Sequence, residues 1–291
     1  MAIWSLHVHP PSLDQNSEKG FSLLELLAAM TVMLCTTAAA FALFHRSERL
    51  FHDHAIFVEM QQTARLVVSQ VLDDVRMAGQ AIPRGLTDVI LVGSGGSRLN
   101  IRMGYTVTES AVTSALPLSL TLGVPFTVAV DSTSGFSANR QAFVWSDTDW
   151  ARITINSVSG SAKTVRGTPV FLSKSPMSFL VPPAISTDEA VSIYSDVGSQ
   201  VVRRTTTTNT ENPDNPVWAP ANELATHVTD LTFSYFDEAG LPVAVDTPEH
   251  RSRVAAIEVR VAVQASAPLR DGSRPTYSLS VRVSPRNLNL Q

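Results

Sequence analysis

"KGFSLLELLAAMTVMLCTTAAAFALFHR", from Lys19 to Arg46, is the most apolar stretch of the chain, and it carries an acid, Glu25. Phe21 to Phe44 is 24 residues with that single formal charge. At about 1.5 Å per residue, a helix of this length spans roughly 36 Å, enough to cross a hydrocarbon core of about 30 Å. The run is too long for the apolar region of an ordinary cleaved secretory signal, and no small-x-small cleavage site follows it. A buried core helix of this length would need protein on every side. The stretch therefore reads as a membrane helix. Its flanking charges do not set an orientation: Lys19 lies beside Glu18 on one side, while Arg46 and Arg49 follow on the other. Counted by Lys and Arg alone, they lean mildly against a cytoplasmic N-terminus.

Composition narrows the remainder. The chain has 291 residues, 44% apolar and 16% charged, with a formal net charge of −4. That is enough apolar material for a packed core and too little basic charge for a nucleic-acid surface. The only cysteine, Cys35, sits inside the apolar run, which excludes an internal disulfide.

A carboxylate in a membrane helix is costly, about 2.5–3.5 kcal/mol at the centre on insertion scales, and commonly marks a function. Glu25 sits about one turn in, within reach of the interface. Its neighbours give it a meaning. Lys19-Gly20-Phe21-Ser22-Leu23-Leu24-Glu25, followed by twenty apolar positions, resembles the processing motif of type IV prepilins and type II secretion pseudopilins. The resemblance implies cleavage after Gly20 by a prepilin peptidase, N-methylation of the new terminus at Phe21, and a register role for Glu25. The Glu25 carboxylate of one subunit would pair with the Phe21 amine of a neighbour, because two charges in low dielectric penalise any unpaired arrangement. Met1 to Gly20 would be a leader, long for a pilin. His7 and His9 within it have nothing nearby to complete a metal site.

His45 to Ala78 contains no proline or glycine. Phe57, Ala64, Val68, Val71, Val75 and Ala78 fall on one helical face, with Glu59, Arg65, Asp73, Asp74 and Arg76 largely off it. Gly79 followed by Pro83 reads as a stop. One helix is thus expected from Phe21 to about Ala78, roughly 87 Å long, its first half membrane or filament core (21–44) and its second an amphipathic stem (45–80). Gln61 to Pro83, with Arg65, Arg76, Ala78 and Gly79, is similar to the stem of the large W-type minor pilins and J-type minor pseudopilins. His52 and His54, two apart, point to different helix faces and do not make the i, i+4 zinc pair.

From Thr87 the pattern changes to period two. Strands are expected at 88–92, 98–103, 118–122, 126–130, 141–145, 151–158, 169–172, 190–194, 200–204, 231–236, 257–263 and 277–283. In the last two of these, apolar Ile257, Val259, Val261 and Val263, and Tyr277, Leu279, Val281 and Val283, alternate with polar or small neighbours, giving one buried and one wet face. The stem would cover that buried face. The fold class is α+β: a long N-terminal helix packed on an antiparallel β-rich head over 81–291. Phe233-Ser234-Tyr235-Phe236-Asp237 and Arg286-Asn287-Leu288 add to the W-type resemblance. The stretch from about Ala111 to Thr226 reads as a strand-rich insertion, and Thr205 to Pro220 as a polar loop.

No enzyme motif stands out. Gly93-Ser94-Gly95-Gly96 is followed by a strand, not the helix a phosphate loop needs, and so reads as a turn. Asp147-Thr148-Asp149 lacks the glycine and distal glutamate of a calcium loop. Trp145 and Trp150 flank it and would mark a contact surface if exposed. There is no nucleophile elbow, His-Glu-x-x-His or paired cysteine, and no cofactor or metal site is expected. The resemblance implies a minor pilin of a type IV pilus, with prepilin peptidase, other major and minor pilins and an inner-membrane assembly platform as partners. Its location would be the bacterial inner membrane, N-terminus cytoplasmic, and then the pilus. A J-type minor pseudopilin of type II secretion shares every motif named. A membrane-anchored adhesin or binding protein that never assembles is the alternative of another class.

Overall fold

The computed structural model describes residues 22–83, 86, 89–104, 106, 108–147, 149–196, 198–207, 216–269 and 271–285. The chain divides into two compact units between His52 and Asp53. Helix α1 runs from Leu23 to Met77. Its described residues in the first unit are all exposed.

In chain order the early strands are β1 (Arg98–Arg102), β2 (Glu109–Ala111), β3 (Leu118–Leu120), β4 (Phe126–Ala129), β5 (Gln141–Ser146), β6 (Asp149–Ser159) and β7 (Thr164–Leu172). Then come β8 (Met177–Phe179), β9 (Ala184–Thr187), β10 (Ala190–Asp196), β11 (Val201–Thr207), β12 (Asn222–Ala225) and β13 (Val228–Phe236). A short helix α2 (Pro248–Ser252) precedes β14 (Ala256–Gln264) and β15 (Thr276–Val283). All strand pairs are antiparallel. The α+β class, a long helix followed by an antiparallel β-rich head, is as the sequence predicts.

Among the described residues the head holds two large cores and a smaller apolar cluster of Ile82, Leu86 and Phe143. In the first, Ile56, Met60, Ala64, Val67, Val71 and Val75 of the stem pack against β1, β10 and β11 and against β13, β14 and β15. These strands form one sheet in the order β1-β10-β11-β12 and another in the order β13-β14-β15. Phe233 N donates to Gly96 O at 2.8 Å and Val228 N to Gln200 O at 3.0 Å, tying the two sheets together. The Tyr235 hydroxyl adds a bond to Gly95 O at 3.1 Å. Burial pushes that phenol well above its ordinary pKa.

Two stem assignments change. Phe57, expected on the buried face, is 40% exposed, because at this end of the stem the head covers only the edge of the stripe held by Ile56 and Met60. Asp74, expected off the face, is buried at 3% because Arg204 of β11 reaches it. The stop is as expected: Gly79 takes φ 78°, and its N–H donates to Arg102 O at 3.0 Å.

The second core is built from the stretch of chain between β1 and β10 in sequence. Strands run β2-β9-β5-β6-β7-β4. The two edges of this sheet then meet each other. Val112 bridges Val130, Thr113 N donates to Ala129 O at 2.8 Å, and Asp131 N to Ala111 O at 3.1 Å. The sheet is therefore a closed six-stranded barrel, which removes both edges. Alternate residues, among them Val128, Val144, Ile153, Ile155, Val165 and Ile185, point inward and fill it. The β3–β8 ladder places Leu120, Met177 and Phe179 in the same core.

The stretch read as an insertion, from about Ala111 to Thr226, does not form one unit. Strands β2 to β9 occupy 109–187, while β10 and β11 return to the stem sheet. Of the strand expected at 88–92, Asp88 lies outside the described residues, and among 89–92 only Ile90 bridges Ile101. Gly93, at φ 79°, turns the chain away at once. Thr205 to Thr207, expected in the polar loop, belong to β11. There Thr205 Oγ1 donates to Ala219 O at 2.5 Å.

Candidate assembly site at the N-terminal helix

Helix α1 opens where Ser22 O accepts the N–H groups of Glu25 at 2.9 Å and Leu26 at 3.1 Å. Glu25 is the acid of the first turn, where the helix dipole favours a negative charge. It is exposed, and it makes no ion pair with any described residue. Gly20 and Phe21, the other two residues the sequence singles out, lie outside the described residues.

The helix is long and apolar enough to cross a membrane, its best window reaching a mean hydropathy of 2.1 with none of it buried. In the apolar run its threonine hydroxyls are satisfied locally. Thr31 Oγ1 donates to Ala28 O at 2.7 Å, and Thr36 and Thr37 both donate to Met33 O, at 2.9 and 2.7 Å. That is what a helix in an apolar medium requires of its hydroxyls. A fully exposed apolar helix has no stable place in water: it needs lipid or other helices on every face.

Residues 15–41 match the family model of the prokaryotic N-terminal methylation motif. The match is confined to the N-terminal segment and supports a type IV prepilin-like protein. Comparison with curated proteins returned no match. The prepilin-like motif implies processing by a prepilin peptidase and assembly with other pilins, and the apolar helix fits membrane anchoring. The motif points to a structural subunit.

The remaining candidate sites resolve into structural roles. In the glycine turn at 93–96 the Ser94 and Gly95 N–H groups are spent on Leu91 O and Arg98 O, at 3.3 and 2.7 Å, while Gly95 O and Gly96 O take bonds from Tyr235 and Phe233. A phosphate needs donors there. Asp149 pairs with Lys174, and Asp147 sits in a turn at φ 53°. Among the described residues no group of three or more His, Cys, Asp or Glu side chains is placed to hold a metal ion. Trp145 and Trp150 are cross-strand partners and half-buried. Trp145 Nε1 donates to Ser186 Oγ at 3.0 Å, and Trp150 stacks on Phe171 with centroids 4.9 Å apart. His52 and His54 are exposed on the stem. His227 contacts Thr226 Oγ1 at 3.1 Å, and His250 contacts Asp246 at 2.6 Å. The hydrogen bond with His250 holds the Asp246 carboxyl below its ordinary value.

Sequence reasoning missed two charge clusters. One is the Asp74–Arg204 pair. The other joins the barrel to the stem sheet: Arg102 Nε lies 3.0 Å from Asp188 Oδ1 with both side chains fully buried. Beside it the Glu189 carboxylate accepts from Thr106 N at 2.9 Å, Thr106 Oγ1 at 2.6 Å and Thr187 Oγ1 at 3.0 Å. The available signal was an acidic pair, Asp188-Glu189, placed directly against the apolar run of β10.

Proposed function

We propose that this chain is a minor pilin, a low-copy structural or priming subunit of a type IV pilus. The observation that carries the reading is the continuity of Lys19-Gly20-Phe21 and Glu25 with an apolar helix exposed on all sides. The precursor inserts in the inner membrane with its N-terminus cytoplasmic. The peptidase removes Met1 to Gly20, and Phe21 becomes the methylated N-terminus. The helix then leaves lipid for a bundle of pilin helices, where Glu25 pairs with the α-amine of a neighbouring subunit and fixes axial register. Val58, 49% exposed on the stem, supports a continued helix–helix contact. The head and stem together are large for a repeating shaft subunit, which suits a position at the tip.

Quantitative mass spectrometry of sheared surface filaments tests this reading. The chain should be present at a small fraction of the major pilin, and Glu25→Ala should be processed normally but depleted from filaments at least tenfold. Equal incorporation of Glu25→Ala would remove the register role. A chain absent from surface filaments, whose deletion stops secretion of folded proteins, would make it a type II pseudopilin.

A further inference from the structure

The barrel enters and leaves the head through one point. Strands β1 and β10 are direct partners, with Leu99 opposite Ile193 and Arg102 opposite Ala190. The next step of the same ladder, Met103 N to Glu189 O, is 2.8 Å long. Everything between, residues 104–188, therefore sits where a hairpin would have a two-residue turn.

We propose that residues 104–188 are a guest module, separable in folding from the part of the head that packs on the stem, and that filament assembly does not need it. Three observations support separability. The sheet closes on itself through Val112 and Val130, so it shares no ladder with the stem sheets. Its core has no residue in common with the stem core. The junction is mainly polar: the Arg102–Asp188 pair and the buried Glu189 carboxylate stand between the two cores. Such a junction fixes orientation through charge and hydrogen bonds and carries little of the cooperativity of a continuous apolar core. Among the described residues the apolar seat is Ile82 and Leu86 resting on Phe143 at the barrel's outer face, with the half-buried Trp145 and Trp150 packed against them.

The test uses the full chain in detergent micelles, followed by hydrogen-exchange mass spectrometry across a denaturant series. Peptides from β5 to β7 should lose protection at a denaturant concentration distinct from peptides of β13 to β15. Ile153→Ala, inside the barrel, should lower the first transition and leave the second unmoved. One shared transition, with Ile153→Ala shifting all peptides alike, would overturn separability. The claim about assembly rests on the pilin reading and has its own arm. Residues 104–188 are replaced by Asn-Gly, with Arg102→Leu and Glu189→Gln because Asp188, Thr106 and Thr187 leave with the barrel. The excised chain should keep protection in β13 to β15 and enter sheared filaments. An excised chain that is protected and processed but absent from filaments would overturn that claim. A parent chain itself unprocessed at Gly20 would instead show the failure of the pilin reading.

Discussion

Arg204 closes two hydrogen bonds on Asp74, 2.8 Å from Nε to Oδ2 and 3.0 Å from Nη2 to Oδ1. The pair joins the last turns of the stem to β11, residues far apart in sequence. Gln70 Nε2 reaches the same carboxylate at 3.5 Å. A parallel two-bond arrangement defines angle as well as distance, so it fixes the rotation of the stem against the sheet in a way that interchangeable Val and Ala contacts cannot.

Breaking that pair from one side leaves a charge stranded. Removing one partner of a fully buried pair costs roughly 3–5 kcal/mol, and the 22% exposure of Arg204 lowers this to about 2–4 kcal/mol. Arg204→Ala should therefore lower the melting temperature of the head by roughly 5–15 °C, read by near-UV circular dichroism. Asp74→Asn with Arg204→Gln together should recover part of the loss. A single-variant shift under 2 °C would mean that the pair is incidental.

The stem face can be checked residue by residue. Met60 is 2% exposed and Phe57 is 40% exposed. Met60→Ala should cost about 2–4 kcal/mol and Phe57→Ala less than about 1 kcal/mol in denaturant unfolding of the head. The reverse order would restore the face centred on Phe57 that periodicity alone implies.

Much of the fold was legible in the chain. The apolar run, the stop at Gly79 and the alternation in β14 and β15 follow from single-element periodicity, and each was found where the pattern put it. The barrel was not legible. Its closure depends on Val112 meeting Val130, a pairing that no local signal marks. Strands β2, β8, β9 and β12 are three or four residues long, too short to establish a period. The first half of β7 was hidden by Gly167, which packs against Ile153: a Cβ there would lie 2.8 Å from Ile153 Cδ1. Of the candidate site, the residue types at Gly20, Phe21 and Glu25 were readable because the motif is contiguous. The Asp74–Arg204 and Arg102–Asp188 pairs join distant segments, and the sequence shows only their separate charges.

Barrel packing yields a local prediction. Gly135 has φ 83°, and an added Cβ would lie 2.3 Å from Thr108 Oγ1. Gly135→Ala combines left-handed strain with a direct clash and should destabilise the barrel by about 1–3 kcal/mol. Hydrogen exchange should register the loss in β4 to β7. A shift below about 0.5 kcal/mol would mean that the Thr108 loop yields freely.

Acid should weaken the β14–β15 pairing. The Glu258 carboxyl is held below its ordinary value of 4.5 first by the Ser280 hydroxyl, at 2.9 Å, and then by Arg282, at 3.2 Å. A carboxyl with a lower pKa in the folded state binds fewer protons there than when unfolded. Its stabilising contribution is complete above pH 4.5 and is lost as pH falls through the folded-state value. Glu258→Gln should therefore melt below the parent at pH 7, with the gap narrowing steadily under pH 4.5. A gap that is constant with pH would show that the carboxylate charge is not what stabilises this contact.

The central claim is that this is a processed pilin whose mature chain begins at Phe21. The most direct measurement is the N-terminal mass of the protein in membrane and sheared-filament fractions, with and without an active prepilin peptidase. The account predicts a chain starting at N-methylated Phe21 in both fractions, replaced by the full precursor when the peptidase is absent. A chain that still begins upstream of Gly20 with the peptidase active would contradict it, and would leave Glu25 an unexplained acid in an ordinary membrane anchor.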